Sequence, residues 1–234
     1  MSREQERAIT HFPWARAASI MTPFGAGAIL GVTGPLADKS DHPIAHAVAI
    51  VFSGGWSWAC FAFLVGYSRR SKTGSAILAA SALTVGVALY YLLKYLSPAA
   101  GGGQVLSGGP IEETASKIIL WSVAAFLLGG PVGLMGNLAR TPGFAGLPFR
   151  MVIPAIAIFE TTMRLRAEAD LQVPLVGLTW SVIRFLSVVA VVALIGHTVW
   201  RWRVRRGRPY QHAEANALLQ DVDALQHSTR DARG

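Results

Sequence analysis

The sequence predicts an all-α fold: a polytopic membrane helix bundle of about six transmembrane helices, with both termini in the cytoplasm. The first observation is that only 15% of the 234 residues are charged, against about 25% in soluble domains. The second is that these charges lie in short clusters between long apolar runs. The third is that Lys and Arg collect on alternate connections, which is the pattern of a membrane protein with a fixed orientation.

Six apolar runs are long enough to cross the membrane, since a transmembrane helix needs roughly 20 mostly apolar residues. They cover approximately 15–36, 43–67, 73–97, 111–137, 147–165 and 175–200. Gly34-Pro35 ends the first run, Arg69-Arg70 the second, and Pro98 with the glycines at 101–103 the third. All of these are residues that stop helices or stay in water.

The last three runs carry internal interruptions. The fourth begins after Gly109-Pro110, and its Gly129-Gly130-Pro131-Val132-Gly133 segment predicts a break near the cytoplasmic end. Pro154 and Glu160 interrupt the fifth run, and the sixth ends in a basic segment. In the first run, Gly27 and Gly31 form a small-residue face that lets a neighbouring helix approach closely.

The distribution of basic residues orients the bundle. With six spans, the four most basic segments share one side, and they are the N-terminal flank, 68–72, 138–150 and the flank after residue 200. The opposite connections hold few basic residues, balanced by acids. Because basic connections stay inside the cell, this side is predicted to be cytoplasmic, in a multi-pass protein of the cell membrane.

The chain divides into one transmembrane domain, 1–208, and a polar cytoplasmic tail, 209–234. Leu218, Leu219, Val222 and Leu225 share one face of a helix, which predicts a short amphipathic helix in the tail. It would lie on the membrane or on the bundle, and partner binding is the second interpretation.

Several functional classes are disfavoured. The net charge of +8 comes from basic residues that flank apolar runs, which indicates a lipid bilayer as partner and no nucleic acid. Cys60 is the single cysteine, so an intramolecular disulfide is excluded. His42 and His46 are spaced to share a helical face, but no third ligand is evident, so no metal is predicted. No phosphate-binding loop or Asp-rich magnesium motif is present, and no cofactor is predicted.

Glu160 is the strongest candidate for a functional residue. It lies ~7 Å from the outer end of its span at 1.5 Å per residue, where an ionised side chain costs about 2–3 kcal/mol. Such a residue needs a partner, and Arg184, ~12 Å into the sixth span, is the expected one. The pair either fixes helix packing or touches a substrate. Glu113 and Asp38 are the alternative acids, although Glu113 also suits the start of a helix after Pro110.

Aromatic residues at similar depth predict the wall of a cavity in the outer half of the bundle. They are Trp56 and Trp58 in the second run, Tyr90 and Tyr91 in the third, and Trp121 in the fourth. Tryptophan usually prefers the membrane interface, so a pair near mid-span beside Gly54 and Gly55 favours a cavity. Plain helix packing is the other interpretation.

Short segments of the chain resemble a known group of proteins. Phe52-Ser53-Gly54-Gly55-Trp56, Ala62-Phe63-Leu64-Val65-Gly66, Tyr90-Tyr91-Leu92 and Gly129-Gly130-Pro131-Val132-Gly133, with Glu160, are similar to small bacterial integral membrane proteins of mostly unknown function. The chain also resembles the membrane-bound terpene cyclases of indole-sesquiterpenoid pathways. That resemblance implies metal-free, acid-initiated cyclisation of a prenylated aromatic such as a farnesylindole or its epoxide.

Two functional hypotheses follow. In the first, the chain is a terpene cyclase acting on a lipophilic substrate, with Glu160 as the acid, Glu113 or Asp38 as its replacement, and the five aromatic residues stabilising cations. A directly paired Arg184 weakens this assignment, because acid catalysis needs a protonated carboxyl. In the second, the chain is the substrate-binding membrane subunit of a small-molecule importer, with its site open to the outside. A structural protein is a third possibility, and the oligomeric state is left open.

Overall fold

The computed structural model describes the chain in three segments, 13–96, 111–168 and 174–231, with side chains described for 20–96, 115–167 and 174–204. Their regular elements are the helices α1 (Pro13–Ala37), α2 (Pro43–Ser53), α3 (Gly55–Tyr67), α4 (Lys72–Leu96), α5 (Ile111–Leu138), a short 3-10 helix (Phe144–Gly146), α6 (Leu147–Glu168) and α7 (Pro174–Asp231). These three segments contain no strand, which confirms the all-α class.

Five of these helices are long and apolar enough to cross a membrane: α1, α4, α5, α6 and α7. The shorter helices α2 and α3 pass the same test only as a pair, and they meet at an angle of 66°. The membrane class predicted from composition is confirmed at this level, with five spans, or six if the bent pair counts as one.

The break in the bundle lies where sequence reasoning did not put it. Gly54 takes an extended conformation (φ −74°, ψ 139°) between α2 and α3, so the predicted span 43–67 is two helices. The predicted break at Gly129–Gly133 is wrong, because α5 is continuous and has Pro131 inside it. A proline removes one backbone hydrogen bond, which membrane helices tolerate when neighbouring helices pack around them.

The glycines of α5 are used for close packing instead. A Cβ on Gly66 of α3 would collide with the backbone of Gly133, and one on Gly136 would collide with the carbonyl of Phe63. On the other side of α4, a Cβ on Gly31 would collide with the carbonyl of Gly86. The small-residue face predicted in the first span is therefore a contact between α1 and α4.

Two apolar clusters form the core of the bundle. The first joins α3, α4 and α5 around Ala62, Ala79 and Leu83. The second joins α6 to α7 through Ala157 and Trp180, and Ile50, Val51 and Trp56 of the α2–α3 pair pack against it. The α2–α3 pair thus lies between the two clusters.

Basic residues on the predicted cytoplasmic side also bind the ends of helices. Arg140 donates to the carbonyl of Arg69 over 3.0 Å, and the Arg150 guanidinium donates to the carbonyls of Ala139 and Thr141 over 2.8 and 2.9 Å. The last carbonyls of a helix have no partner within it. These arginines therefore satisfy carbonyls in the loops after α3 and α5 and join the two loops.

The chain divides into two compact units, Met1–Val191 and Val192–Gly234. Helices α1 to α6, the first part of α7 and both apolar clusters belong to the first unit. The second contains the remainder of α7, where the His197 and Trp200 rings lie 6.3 Å apart. Helical backbone extends to Asp231, through most of the predicted polar tail, whose side chains lie outside the described residues.

Candidate functional site

Glu160 on α6 binds the first turn of α3. Its Oε1 accepts a hydrogen bond from the backbone N–H of Gly55 at 2.9 Å, and its Oε2 accepts one from the N–H of Trp56 at 2.7 Å. These amides come directly after the break at Gly54, so they have no partner within their own helix. A carboxylate at this position also meets the positive end of the α3 dipole.

A glycine at position 55 leaves room for the carboxylate. A Cβ there would lie 3.3 Å from Oε2 of Glu160, which is tighter than an ordinary contact between a carbon and an oxygen. The break at Gly54, the glycine at position 55 and the Glu160 carboxylate therefore form one arrangement. The chain leaves α2, turns at Gly54, and begins α3 against a carboxylate from another helix.

Arg164 is the cationic partner of Glu160. Its Nε lies 3.1 Å from Oε1, and the Arg164 and Glu160 side chains are 31% and 18% exposed. The same guanidinium lies over the ring of Trp180, 4.8 Å from its centroid. We call Glu160, Arg164, Trp180 and the two α3 amides the Glu160 clamp; it connects α3, α6 and α7.

Arg184 does not hold the position predicted for it. Its side chain is exposed, and Glu160 is satisfied by Arg164 and the α3 amides. Successive residues of a helix point about 100° apart. Because Ile183 faces the core, the next residue, Arg184, points away from it. The spacing of Glu160 and Arg164, four residues apart on one helix face, is the sequence signal that identifies the actual pair.

Both carboxylate oxygens of Glu160 are already engaged within the protein. Each accepts a hydrogen bond from a backbone N–H group of α3, and the Arg164 guanidinium lies against one of them. A substrate would have to displace one of these partners to reach the carboxyl group, so the arrangement favours a positioning role.

Four of the five predicted aromatic residues lie together. Trp58 and Tyr90 meet edge to face at 5.8 Å between ring centroids, Tyr90 and Tyr91 at 5.2 Å, and Tyr91 stacks on Trp121 at 6.3 Å. We call these four residues the aromatic row. Trp56 is separate from them and packs against the α6–α7 cluster. The Nε1 of Trp58 donates to the carbonyl of Phe52 at 3.0 Å, which satisfies an oxygen near the break.

A cavity of about 220 Å³ lies between α1, α2 and α4; we call it the polar cavity. Its lining consists of Gly34, Pro35, Asp38, His46, Ala49, Ile50, Ser53, Tyr90 and Lys94. One wall is thus the end of the aromatic row, and both signs of charge are present. Within the described part of the chain, neither Asp38 nor Lys94 has an ion-pair partner. Lys94 Nζ lies 5.8 Å from the centroid of Tyr90.

A second cavity of about 260 Å³ lies between α6 and α7 and is almost wholly apolar. Trp56, Pro154 and Leu186 are among its lining residues. The break separates one lining residue of each cavity along the chain: Ser53, directly before Gly54, lines the first, and Trp56, two residues after it, lines the second.

The remaining sequence candidates have other positions. Glu113 lies in the first turn of α5, and its side chain is outside those that the structure describes. Nδ1 of His42 accepts from the N–H of Ile44 at 3.3 Å and so caps α2. The described residues contain no group of three His, Cys, Asp or Glu side chains placed to hold a metal ion. Sequence reasoning missed Arg164, Ser53 and Lys94 as site residues.

No family model matches this chain, and neither a curated protein nor a solved structure is detectably similar to it. The functional argument therefore depends on the geometry of the clamp, the aromatic row and the cavities.

Proposed function

We propose that this chain is a six-span membrane protein that captures a small polar molecule at its external face, as the substrate-binding subunit of an importer. The observation that carries the proposal is the polar cavity, in which Asp38 and Lys94 face a common space without pairing with a described residue. Both side chains are exposed, so a small ligand with two opposite charges could pair with them without first breaking an ion pair among the described residues.

Helix directions support six crossings. Gly27, Gly31 and Gly34 of α1 contact Ala82, Gly86 and Tyr90 of α4 in the same order, so α1 and α4 run parallel. The chain must therefore cross the membrane once between the end of α1 and the start of α4. The α2–α3 pair is the segment that connects them and so makes this crossing. With six crossings both termini share a side, and the basic connections favour the cytoplasm for it. The loop at 38–42 and the polar cavity then face outward.

The cavity favours a small ligand with both charges. Its volume of about 220 Å³ is below the roughly 300–1,000 Å³ of pockets for drug-sized molecules. Lys94 suits a carboxylate and Asp38 suits an ammonium group, while Ala49 and Ile50 add apolar side chains to the lining. An α-amino acid has this combination. An importer of this kind needs a separate energising subunit, because the sequence has no nucleotide-binding loop.

Binding can be tested with three matched ligands and protein in lipid nanodiscs. Isothermal titration should detect leucine, while leucinamide lacks the carboxylate and 4-methylpentanoate lacks the ammonium. Each omission removes a charge-assisted contact worth about 1.5–3 kcal/mol, so both analogues should bind at least roughly tenfold more weakly. Lys94→Gln should abolish the preference for leucine over leucinamide. Asp38→Asn should abolish the preference over 4-methylpentanoate.

The matched control is Lys39→Gln. Lys39 is an exposed neighbour of Asp38 that does not line the cavity, and its loss should leave all three affinities unchanged. Equal affinity for the three ligands, or no binding of leucine, would refute the proposed ligand class.

The terpene cyclase is the second candidate, and one observation favours it. Asp38 shares the cavity with Tyr90, the end of an aromatic row that is suited to stabilising carbocations. Asp38 would then replace Glu160 as the proton donor. Membranes containing the chain would be incubated with a farnesylindole and its epoxide and analysed for cyclic products by mass spectrometry. Turnover lost in Asp38→Asn would favour the cyclase over the importer subunit.

A further inference from the structure

Helix α2 forms one wall of the polar cavity. It supplies His46, Ala49, Ile50 and Ser53 to the lining, so its direction sets the distance from these groups to Tyr90 and Lys94 on α4. The helix has only 11 residues and joins α3 through Gly54 at an angle of 66°. An extended residue does not by itself fix the angle between two helices, so the contacts of its flanking residues must do so. On the α2 side, the carbonyl of Phe52 accepts from Nε1 of Trp58, and Ile50 and Val51 pack against the α6–α7 cluster.

The groups that hold the α3 side come from α6 and α7. The amides bound by Glu160 belong to the two residues directly after Gly54. Trp180 packs beside the break, since a Cβ on Gly54 would lie 3.4 Å from its Cη2. Arg164 connects these two elements, with its Nε on Glu160 and its guanidinium over Trp180. The first turn of α3 is therefore fixed in position and direction by one side chain and its support.

We infer that Glu160 is a positioning residue for the polar cavity: its carboxylate fixes the α2–α3 bend and so places the α2 wall opposite α4. Glu160 does not line the cavity, so it acts on a ligand only through the bend. The cavity's role as a ligand site rests on the proposed function, whereas the bend itself is measurable without a ligand.

Two spin labels measure the bend by double electron–electron resonance. Cys60 is the single cysteine, so Cys60→Ala gives a background for labels at Ile44→Cys on α2 and Met163→Cys on α6. Both side chains are exposed, at 68% and 55%. We expect one narrow distance distribution in the background protein, and a shifted or at least twofold broader one after Glu160→Gln.

Controls separate loss of the bend from loss of the fold. A label pair at Ile77→Cys on α4 and Phe126→Cys on α5, both exposed, reports the central bundle and should keep its distribution in Glu160→Gln. Arg184→Gln removes an exposed cation of α7 and should leave both label pairs unchanged. If Glu160→Gln does not fold, Arg164→Gln retains the carboxylate and should broaden the α2–α6 distribution to a smaller extent.

Leucine affinity completes the test. Glu160→Gln should bind leucine at least roughly tenfold more weakly, with the preference among the three ligands retained, because the groups that recognise charge are intact. An unchanged α2–α6 distribution in both clamp variants would overturn the inference. So would a changed distribution with unchanged leucine affinity. If the unmutated protein binds no leucine while the α2–α6 distribution still changes, the proposed function fails and the control of the bend stands.

Discussion

The stability of Glu160→Gln tests whether the clamp is primarily a helix cap or an ion pair. Glutamine can accept from one of the two amides bound at 2.9 and 2.7 Å, and its NH₂ group faces the other. Losing a hydrogen bond to a charged group costs about 1.5–3 kcal/mol, and losing the charge at the helix end about 0.3–1 kcal/mol. The Arg164 pair contributes at most about 1 kcal/mol, because the Arg164 side chain is 31% exposed.

We therefore expect Glu160→Gln to lower the free energy of unfolding by about 3 kcal/mol and Arg164→Gln by about 1 kcal/mol. The double variant should reveal a coupling energy of about 1 kcal/mol or less. The assay is unfolding by sodium dodecyl sulfate in mixed micelles, followed by circular dichroism. If Arg164→Gln lowers the free energy of unfolding as much as Glu160→Gln does, the ion pair dominates and this reasoning is refuted.

Three further predictions concern the bundle, each measured by the same unfolding assay. Gly66→Ala should lower the free energy of unfolding by about 1–3 kcal/mol, because the added Cβ meets the backbone of α5. Gly25→Ala, which has open space around it, should be neutral or stabilising. Equal effects of the two substitutions would contradict the close packing. Trp58→Phe should cost about 1 kcal/mol, because the carbonyl near the break loses its donor; no loss would mean that water replaces the indole. Asn137→Leu should cost about 0.5–1.5 kcal/mol, because the carbonyl of Arg69 loses the Asn137 side-chain amide but keeps its hydrogen bond from Arg140; an unchanged midpoint would contradict that role.

Hydropathy and charge were enough to predict the class of fold. Membrane helices satisfy their backbone internally, so a run such as Lys72–Leu96 had to be a helix whatever it packs against. Gly27 and Gly31 were correctly interpreted as a packing face for the same reason: small residues let backbones approach. These features depend on local sequence and on the solvent, and both can be read without knowing the neighbours of a helix.

The break and the clamp depend on neighbours, and the sequence does not give those. Two glycine-containing segments were candidates for a break, and the one at Gly129–Gly133 stays helical because α4 packs against it. The break at Gly54 is stabilised by Glu160, which is 106 positions further along the chain. Arg164 was within reach of sequence reasoning, since it lies four residues after Glu160.

The polar cavity likewise could not be predicted as a unit. Asp38 and the aromatic residues were each singled out, but which of them share a cavity depends on how α1, α2 and α4 meet. Trp56 and Trp58, two residues apart, lie on different sides of α3, so one borders the apolar cavity and the other joins the aromatic row. Predicting that separation requires the angle between α2 and α3.

The most direct test of the central claim, an external cavity that binds a small charged ligand, is cysteine labelling in intact cells. In a Cys60→Ala background, Ser40→Cys in the 38–42 loop should react with a membrane-impermeant maleimide without permeabilisation. His46→Cys, which lies in the cavity lining, should also react, and saturating leucine should slow its reaction. Labelling of Ser40→Cys that requires permeabilised cells would contradict the orientation. A labelling rate of His46→Cys that is independent of leucine would contradict the ligand site.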